Sequence, residues 1–456
     1  MNTEKNIVII GCGASGGTAA QFARKTDRKT SITIFEKNGY SQYSKCGLPY
    51  AISGIIPQLD NLIEFNEEWF KKQNINLLLN TIVEKIDIKN RIVTAKKANT
   101  AIEKSYDSII ICTGAKPFIP PVKNINVEGV YVLRSIDDAK KIKSFIKKGK
   151  NAVIIGAGLI GLEMADNLYK MGMKITLIEA FPEILPNTID KDMSEIIYRD
   201  ITKKITVLTN HLLTNVESIN GKISKTIMKN KITGNEEKIP ADLMIIAAGT
   251  KPEVLLAEEI GCKIGNTGGI IVDEKCQTSI PNVYAVGDCT EYKDFVLGKP
   301  MLVGLGSIAV RQGITAGVNA AGGNHKLLKG FLQTSTSEFF DWEIASVGLP
   351  SKYLGDKNIL SGKFNGSSLP EYFPGGKPIT IKLLVDEKDG LILGAQAVGD
   401  KAAQRINTFA AAILGGINVE TMRKLETAYA PPIAPTLDAV TLVCDIVSMK
   451  IERKNR

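Results

Sequence analysis

The sequence predicts an α/β chain: two Rossmann-like dinucleotide-binding domains followed by a C-terminal α+β domain. Three observations carry this expectation. A strand, a glycine turn, a helix, a second strand and an acidic residue follow one another in NIVIIGCGASGGTAAQFARK and SITIFEK, and the series recurs in NAVIIGAGLIGLEMADNLYK and KITLIEA. A second echo links YDSIIICTGAKP (106–117) with ADLMIIAAGTKP (241–252), each an acidic residue, an apolar strand, a glycine and then Lys-Pro. The C-terminal part changes character, with PITIKLLVD and LILGAQAVG joined through the Asp-Gly hairpin signal EKDG. KAAQRINTFAAAILGG then reads as a helix stopped by Gly415-Gly416. Repeated modules of this kind place the boundaries at 1–118 for the first dinucleotide domain, completed by 246–325, with 119–245 for the second and 326–456 for the third.

In the first module Gly11, Gly13 and Gly16 form GxGxxG, and Glu36 lies 20 positions past the last glycine. The glycines let backbone N–H groups approach a pyrophosphate at the positive end of a helix, and the acid accepts ribose hydroxyls. The second module repeats this with Gly156, Gly158 and Gly161, and Glu179 follows 18 positions on. A carboxylate there repels a 2′-phosphate, and no arginine follows within AFPEILP, so NADH is the expected nucleotide, with NADPH as the alternative. The first module then takes the other dinucleotide, and two dinucleotides in one chain point to hydride passing between them.

At 456 residues the chain is too long for a single core. Its net charge of +9 comes from lysines spread along the chain, without an Arg-rich cluster interleaved with aromatics, so no nucleic-acid partner is expected. No 18-residue apolar run occurs, and the apolar stretch before Gly11 is short, so the expectation is a cytoplasmic protein without a membrane partner. Seven scattered cysteines without a CxxC pair suggest neither a disulfide framework nor a metal site.

One cysteine stands apart by its context. In YSKCGLPYAISG (43–54), Pro49 suits the first turn of a helix and Gly54 its end, which puts Cys46 just ahead of a helix N-terminus. Backbone dipoles there favour a thiolate. Cys12, Cys112, Cys262, Cys276, Cys289 and Cys444 read as structural.

The chain as a whole resembles the two-dinucleotide flavoprotein disulfide reductases, through GxGxxG at 11–16, CTGA at 112–115, GxGxxGxE at 156–163 and YAVGD at 284–288. The resemblance implies FAD on Gly11, Gly13, Gly16, Glu36, Thr113, Gly114 and Asp288, and NADH on Gly156, Gly158, Gly161 and Glu179 with Glu163 near the nicotinamide. Members with a CxxxxC pair are set aside, because position 51 is alanine and no histidine follows His325. Among single-cysteine members, those that reduce peroxide or oxygen carry a histidine where this chain has Ser15. SKCGLPY, AYAPP (428–432) and EYFPG (371–375) resemble the coenzyme A-disulfide reductases instead. That likeness implies a redox-active Cys46, catalytic Tyr429 and Tyr372, and substrate contacts from Gln21, Arg24 and Ser44, the first two toward the coenzyme A phosphates. It also implies a homodimer in which Tyr429 reaches the partner's site, and a small thiol or disulfide, coenzyme A, as the partner molecule. The implied chemistry is attack of reduced Cys46 on R–S–S–R, departure of one thiol and reduction of the mixed disulfide by flavin. Reduction of coenzyme A persulfide or polysulfide, oxygen reduction by NADH, and electron transfer without a thiol are the alternative activities. Leu437 and Glu338 stand where several relatives have lysine, and both bear on the identity of the disulfide.

Overall fold

The computed structural model describes residues 5–355 and 358–454. Its contacts divide the chain into two units, one of residues up to Phe118 with Arg134–Ala139 and Thr250–Phe331, the other of Ile119–Leu133, Lys140–Gly249 and the chain from Leu332. The second dinucleotide module and the C-terminal sheet therefore share a unit, and 134–139 returns to the first.

In the first unit the runs NIVII and SIII bury both faces, as central parallel strands require. Five parallel strands stand in the order Val283–Ala285, Ser108–Ile111, Asn6–Ile10, Ser31–Phe35 and Ile75–Leu78. The helix Ala14–Thr26 connects the strands Asn6–Ile10 and Ser31–Phe35, and the later helix Gly306–Ala320 packs on it. The approach is close because a Cβ on Gly317 would collide with the carbonyl oxygen of Ala19. A three-stranded meander, Thr81–Asp87, Ile92–Lys97 and Thr100–Ser105, is inserted before Ser108.

The second unit repeats the plan. Its parallel sheet runs Val130–Val132, Leu243–Ile246, Asn151–Ile155, Lys174–Ile178 and Thr206–Leu208, and its meander is His211–Ile219, Lys222–Asn230 and Glu236–Pro240. The two sheets match strand for strand except at one edge. The first takes its outer strand from late in the chain, the second from just ahead of its own glycine module.

The two Lys-Pro echoes meet. Ala115–Pro117 pairs antiparallel with Thr250–Pro252, Lys116 opposite Lys251, so the repeated tripeptides lie about a local two-fold axis. In the C-terminal part an antiparallel five-stranded sheet contains the expected hairpin, Pro378–Asp386 with Ile392–Gly399, turning through Gly390 at φ +68°. The helix Ala402–Leu414 ends at Gly415, and Gly416 takes φ +63°. Buried Arg405 grips Asp438 with two nitrogens at 2.9–3.2 Å, fixing the start of the last helix, Ala439–Lys454. Among the described residues no helix is long and apolar enough to cross a membrane.

Candidate active site

Both glycine loops are built alike, atom for atom. Gly11 turns at φ +104° and Gly156 at φ +106°, a region that favours glycine. Cβ atoms on Gly16 and Gly161 would strike the carbonyl oxygens of Gly11 and Gly156, so these glycines permit tight packing of loop on helix. Gly13 and Gly158 differ: a Cβ on either would meet no protein atom within 4 Å, leaving each open to an approaching group. Each caps its helix without a side chain, and neither helix has an acidic residue in its first turn. The acids close the loops. Glu36 accepts from the Cys12 N–H at 2.8 Å and from the Asn38 N–H at 2.8 Å. Glu179 accepts from Ala157 at 2.7 Å and Phe181 at 2.9 Å, residues at the same offsets.

The cysteine turn lies in the first unit. Lys45–Gly47 form a 3₁₀ turn, and Leu48–Ser53 follow as a short helix with Pro49 in its first turn and Gly54 at φ +86° ending it. Gly47 packs so tightly on Leu62 that a Cβ there would collide with it. Cys46 is exposed, whereas the other six cysteines are buried. Burial pushes the Cys12, Cys112 and Cys276 thiols far up, and that of Cys444 up to about 12.

Two residues that no motif singled out join this region. The Arg134 guanidinium donates to Asp288 Oδ2 at 2.7 Å, while its buried Nε has no partner. A Cβ on Gly114 would lie 3.7 Å from that guanidinium, so Gly114, Arg134 and Asp288 form one surface. The Lys45 ammonium is pushed down to about 8, chiefly by desolvation and then by the charge of Arg134. Its side chain nevertheless keeps exposed surface.

Two expected residues also bond within the chain. Arg24 donates to the carbonyls of Gln73, Arg28 and Asn74 at 2.7–3.0 Å, tying its helix to the next strand's approach. The Thr113 hydroxyl donates to the Glu253 carbonyl at 2.6 Å, securing the paired Lys-Pro strands. Gln21, on the same helix as Arg24, and Ser44 beside the cysteine turn are half-buried.

In the second unit Glu163 accepts from the Ser337 hydroxyl at 2.6 Å; burial raises its pKa and this hydrogen bond opposes the rise. Ser337 came from no motif, because it stands 174 residues away in sequence. Tyr372 and Tyr429 share a hydroxyl–hydroxyl hydrogen bond of 2.8 Å on an exposed face, which raises the Tyr372 pKa. No group of histidine, cysteine and acidic side chains among the described residues could hold a metal ion.

These features fit two dinucleotides. The open faces of Gly13 and Gly158, the uncapped helix starts and the unpartnered Arg134 Nε all await an acceptor that the chain does not supply. Comparison with known proteins agrees. Residues 5–313 match the model of the pyridine nucleotide-disulphide oxidoreductases, and 334–440 match their dimerisation domain. An NADH oxidase of Methanocaldococcus jannaschii is 36% identical, across 98% of this chain and 99% of the relative. A CoA-dependent NAD(P)H sulfur oxidoreductase of Pyrococcus furiosus is 33% identical, over 97% of this chain and 99% of the relative. The solved structure of an NAD-dependent persulfide reductase from A. fulgidus superposes with a TM-score of 0.94 at 34% identity, covering 98% of this chain and 84% of that one. The chain thus belongs to the pyridine nucleotide-disulphide oxidoreductase family and is an FAD-dependent NAD(P)H oxidoreductase.

Proposed function

We propose that the enzyme reduces the sulfur–sulfur bond of coenzyme A disulfide with NADH, through Cys46. The observation that carries this reading is the exposure of Cys46 alone among seven cysteines, on a turn in the same unit as the first glycine loop. Bound FAD supplies the two-electron relay from the nicotinamide to sulfur. The chain's own part is thiol chemistry. The Cys46 thiolate attacks one sulfur of CoA–S–S–CoA, the S–S bond breaks, and one coenzyme A leaves as a thiolate that takes up a proton. The second coenzyme A stays bound to Cys46 as a mixed disulfide until two electrons release it. The sum is NADH, a proton and the disulfide giving NAD⁺ and two thiols.

The Tyr372–Tyr429 hydroxyl pair supplies the proton donor, reaching Cys46 from a second copy of the chain in a homodimer. The matched dimerisation domain supports that assembly. Gln21, Arg24 and Ser44 serve the coenzyme A moiety, Arg24 being steadied by its bonds to the carbonyls of Gln73 and Asn74.

The test is NADH consumption by FAD-loaded protein under strict anaerobiosis with coenzyme A disulfide as the acceptor. Two thiols released per NADH support the reading. No turnover with coenzyme A disulfide but sulfide release from coenzyme A persulfide would replace it with the second reading, which the likeness to the sulfur oxidoreductase and the persulfide reductase favours. Turnover with oxygen alone would follow the NADH oxidase.

A further inference from the structure

We propose that Lys401 is a positioning residue for the Tyr372–Tyr429 hydroxyl pair: its ammonium fastens the turn after Tyr429 to the same corner of the chain that holds the loop bearing Tyr372. The inference rests on the reading of that pair as the proton donor and adds a residue that no motif assigns to it.

Both tyrosines are exposed and stand outside helices and strands, so each is held by the root of its segment. Tyr372 lies in the loop 368–377, closed at its base where the Ser368 N–H donates to the Lys377 carbonyl at 2.8 Å. The next carbonyl, that of Pro378, accepts from the Asp400 N–H at 3.0 Å. Gly399 permits this approach, since it turns at φ +119° and a Cβ on it would collide with the Pro378 oxygen. Tyr429 is followed at once by a tight turn, in which the Ala430 carbonyl accepts from the N–H groups of Ile433 at 2.8 Å and Ala434 at 3.0 Å. The Ile433 carbonyl of that turn accepts from Lys401 Nζ at 2.7 Å. Two adjacent residues, Asp400 and Lys401, thus hold one tyrosine segment each.

The corner itself is firm. Lys401 adopts φ +58° and ψ 33°, a left-handed conformation uncommon for such a side chain and one that its surroundings must impose. Buried Arg405 supplies part of that constraint, donating from Nη1 to the Asp400 carbonyl at 2.9 Å while it grips Asp438. The bond from an ammonium to a carbonyl is charge-assisted and directional. Without it the roots of the two tyrosine segments are no longer joined through neighbouring residues, and the 2.8 Å hydroxyl contact loses its fixed setting.

The experiment measures NADH-driven reduction of two acceptors by FAD-loaded protein under strict anaerobiosis, for the wild type, Tyr429→Phe, Lys401→Met, Lys401→Asn and Lys401→Arg. Coenzyme A disulfide releases a basic thiolate that needs a proton; the disulfide of thionitrobenzoate releases one that departs without it. With coenzyme A disulfide, kcat should fall about tenfold in Lys401→Met and recover to within about threefold in Lys401→Arg. With the aromatic disulfide Lys401→Met should stay within about twofold of the wild type, the pattern also expected of Tyr429→Phe. Lys401→Asn suits the left-handed corner but is too short to reach Ile433, so it should match Lys401→Met even if the latter folds poorly. Wild-type kcat in both Lys401→Met and Lys401→Asn beside a slow Tyr429→Phe overturns the inference. Equal slowing of both acceptors in Lys401→Asn also overturns it, because a general defect and not proton delivery is then the cause. A Tyr429→Phe variant as fast as the wild type refutes the reading of the tyrosine pair first, and the inference with it.

Discussion

Burial sorts the cysteines by reactivity. Desolvation keeps the buried thiols protonated at neutral pH, and their positions keep reagents away. Reduced native protein should therefore yield one rapidly titrating thiol per chain with a chromogenic disulfide reagent, and Cys46→Ser none; more than one would show that another cysteine opens to solvent. In turnover, Cys46→Ser should lose disulfide reduction while NADH still bleaches the flavin, as anaerobic stopped-flow absorbance would record. Glu163 invites a pH experiment. Burial raises its pKa, so it takes up a proton at a higher pH than an ordinary carboxylate, and the Ser337 hydroxyl restrains that by donating to the charged form. Removing the hydroxyl in Ser337→Ala should raise the pKa further. The acid limb of kcat/KM for NADH then moves to higher pH, while Ser337→Thr leaves it in place. An unmoved limb in Ser337→Ala would mean that Glu163 takes no part in nucleotide use.

At the scale of elements the glycine loops separate fold from binding. Gly13 is extended, with φ −74°, and its missing Cβ faces open space, so Gly13→Ala should keep the thermal stability of FAD-free protein while weakening FAD binding. In Gly16→Ala the new methyl meets the Gly11 carbonyl, and the strain should cost about 1–3 kcal/mol of stability, seen as a lower melting temperature. Equal melting points for the two variants would contradict this division. The loops, their strands and the Asp-Gly hairpin were legible in the sequence because each is written in consecutive residues: a glycine where the turn needs it, an apolar strand, an acid at fixed distance. The cysteine turn was legible for the same reason, through Pro49 and Gly54. Arg134, Lys45 and Ser337 were not. Arg134 and Ser337 act on partners 154 and 174 residues away, and Lys45 looks in sequence like any surface lysine. The bonds of Arg24 to the carbonyls of residues 73 and 74 were not legible either, since nothing local reveals them.

At the scale of the molecule, exposed Tyr372, Tyr429, Ile433 and Leu437 give the C-terminal part an apolar surface of the kind a second copy covers. If Tyr429 serves Cys46 of the partner, hybrids settle it. Cys46→Ser and Tyr429→Phe, each impaired alone, should regain disulfide reductase activity when co-expressed, because the mixed dimer contains one site with both groups intact. A mixed dimer without activity would place the two groups in the same subunit. The duplicated plan was visible from the repeated motifs, but the source of each outer strand was not, because edge pairing is chosen by three-dimensional closure and short strands such as Val283–Ala285 carry little pattern. That difference at the edge has a temporal side. The second sheet has all its strands once Ile246 has been synthesised, whereas the first, begun at Asn6, waits for Val283–Ala285. The inner sheet is thus the first whose strands are all available to a growing chain, while the outer one must keep the edge of Ser108–Ile111 unpaired until Val283–Ala285 has been made.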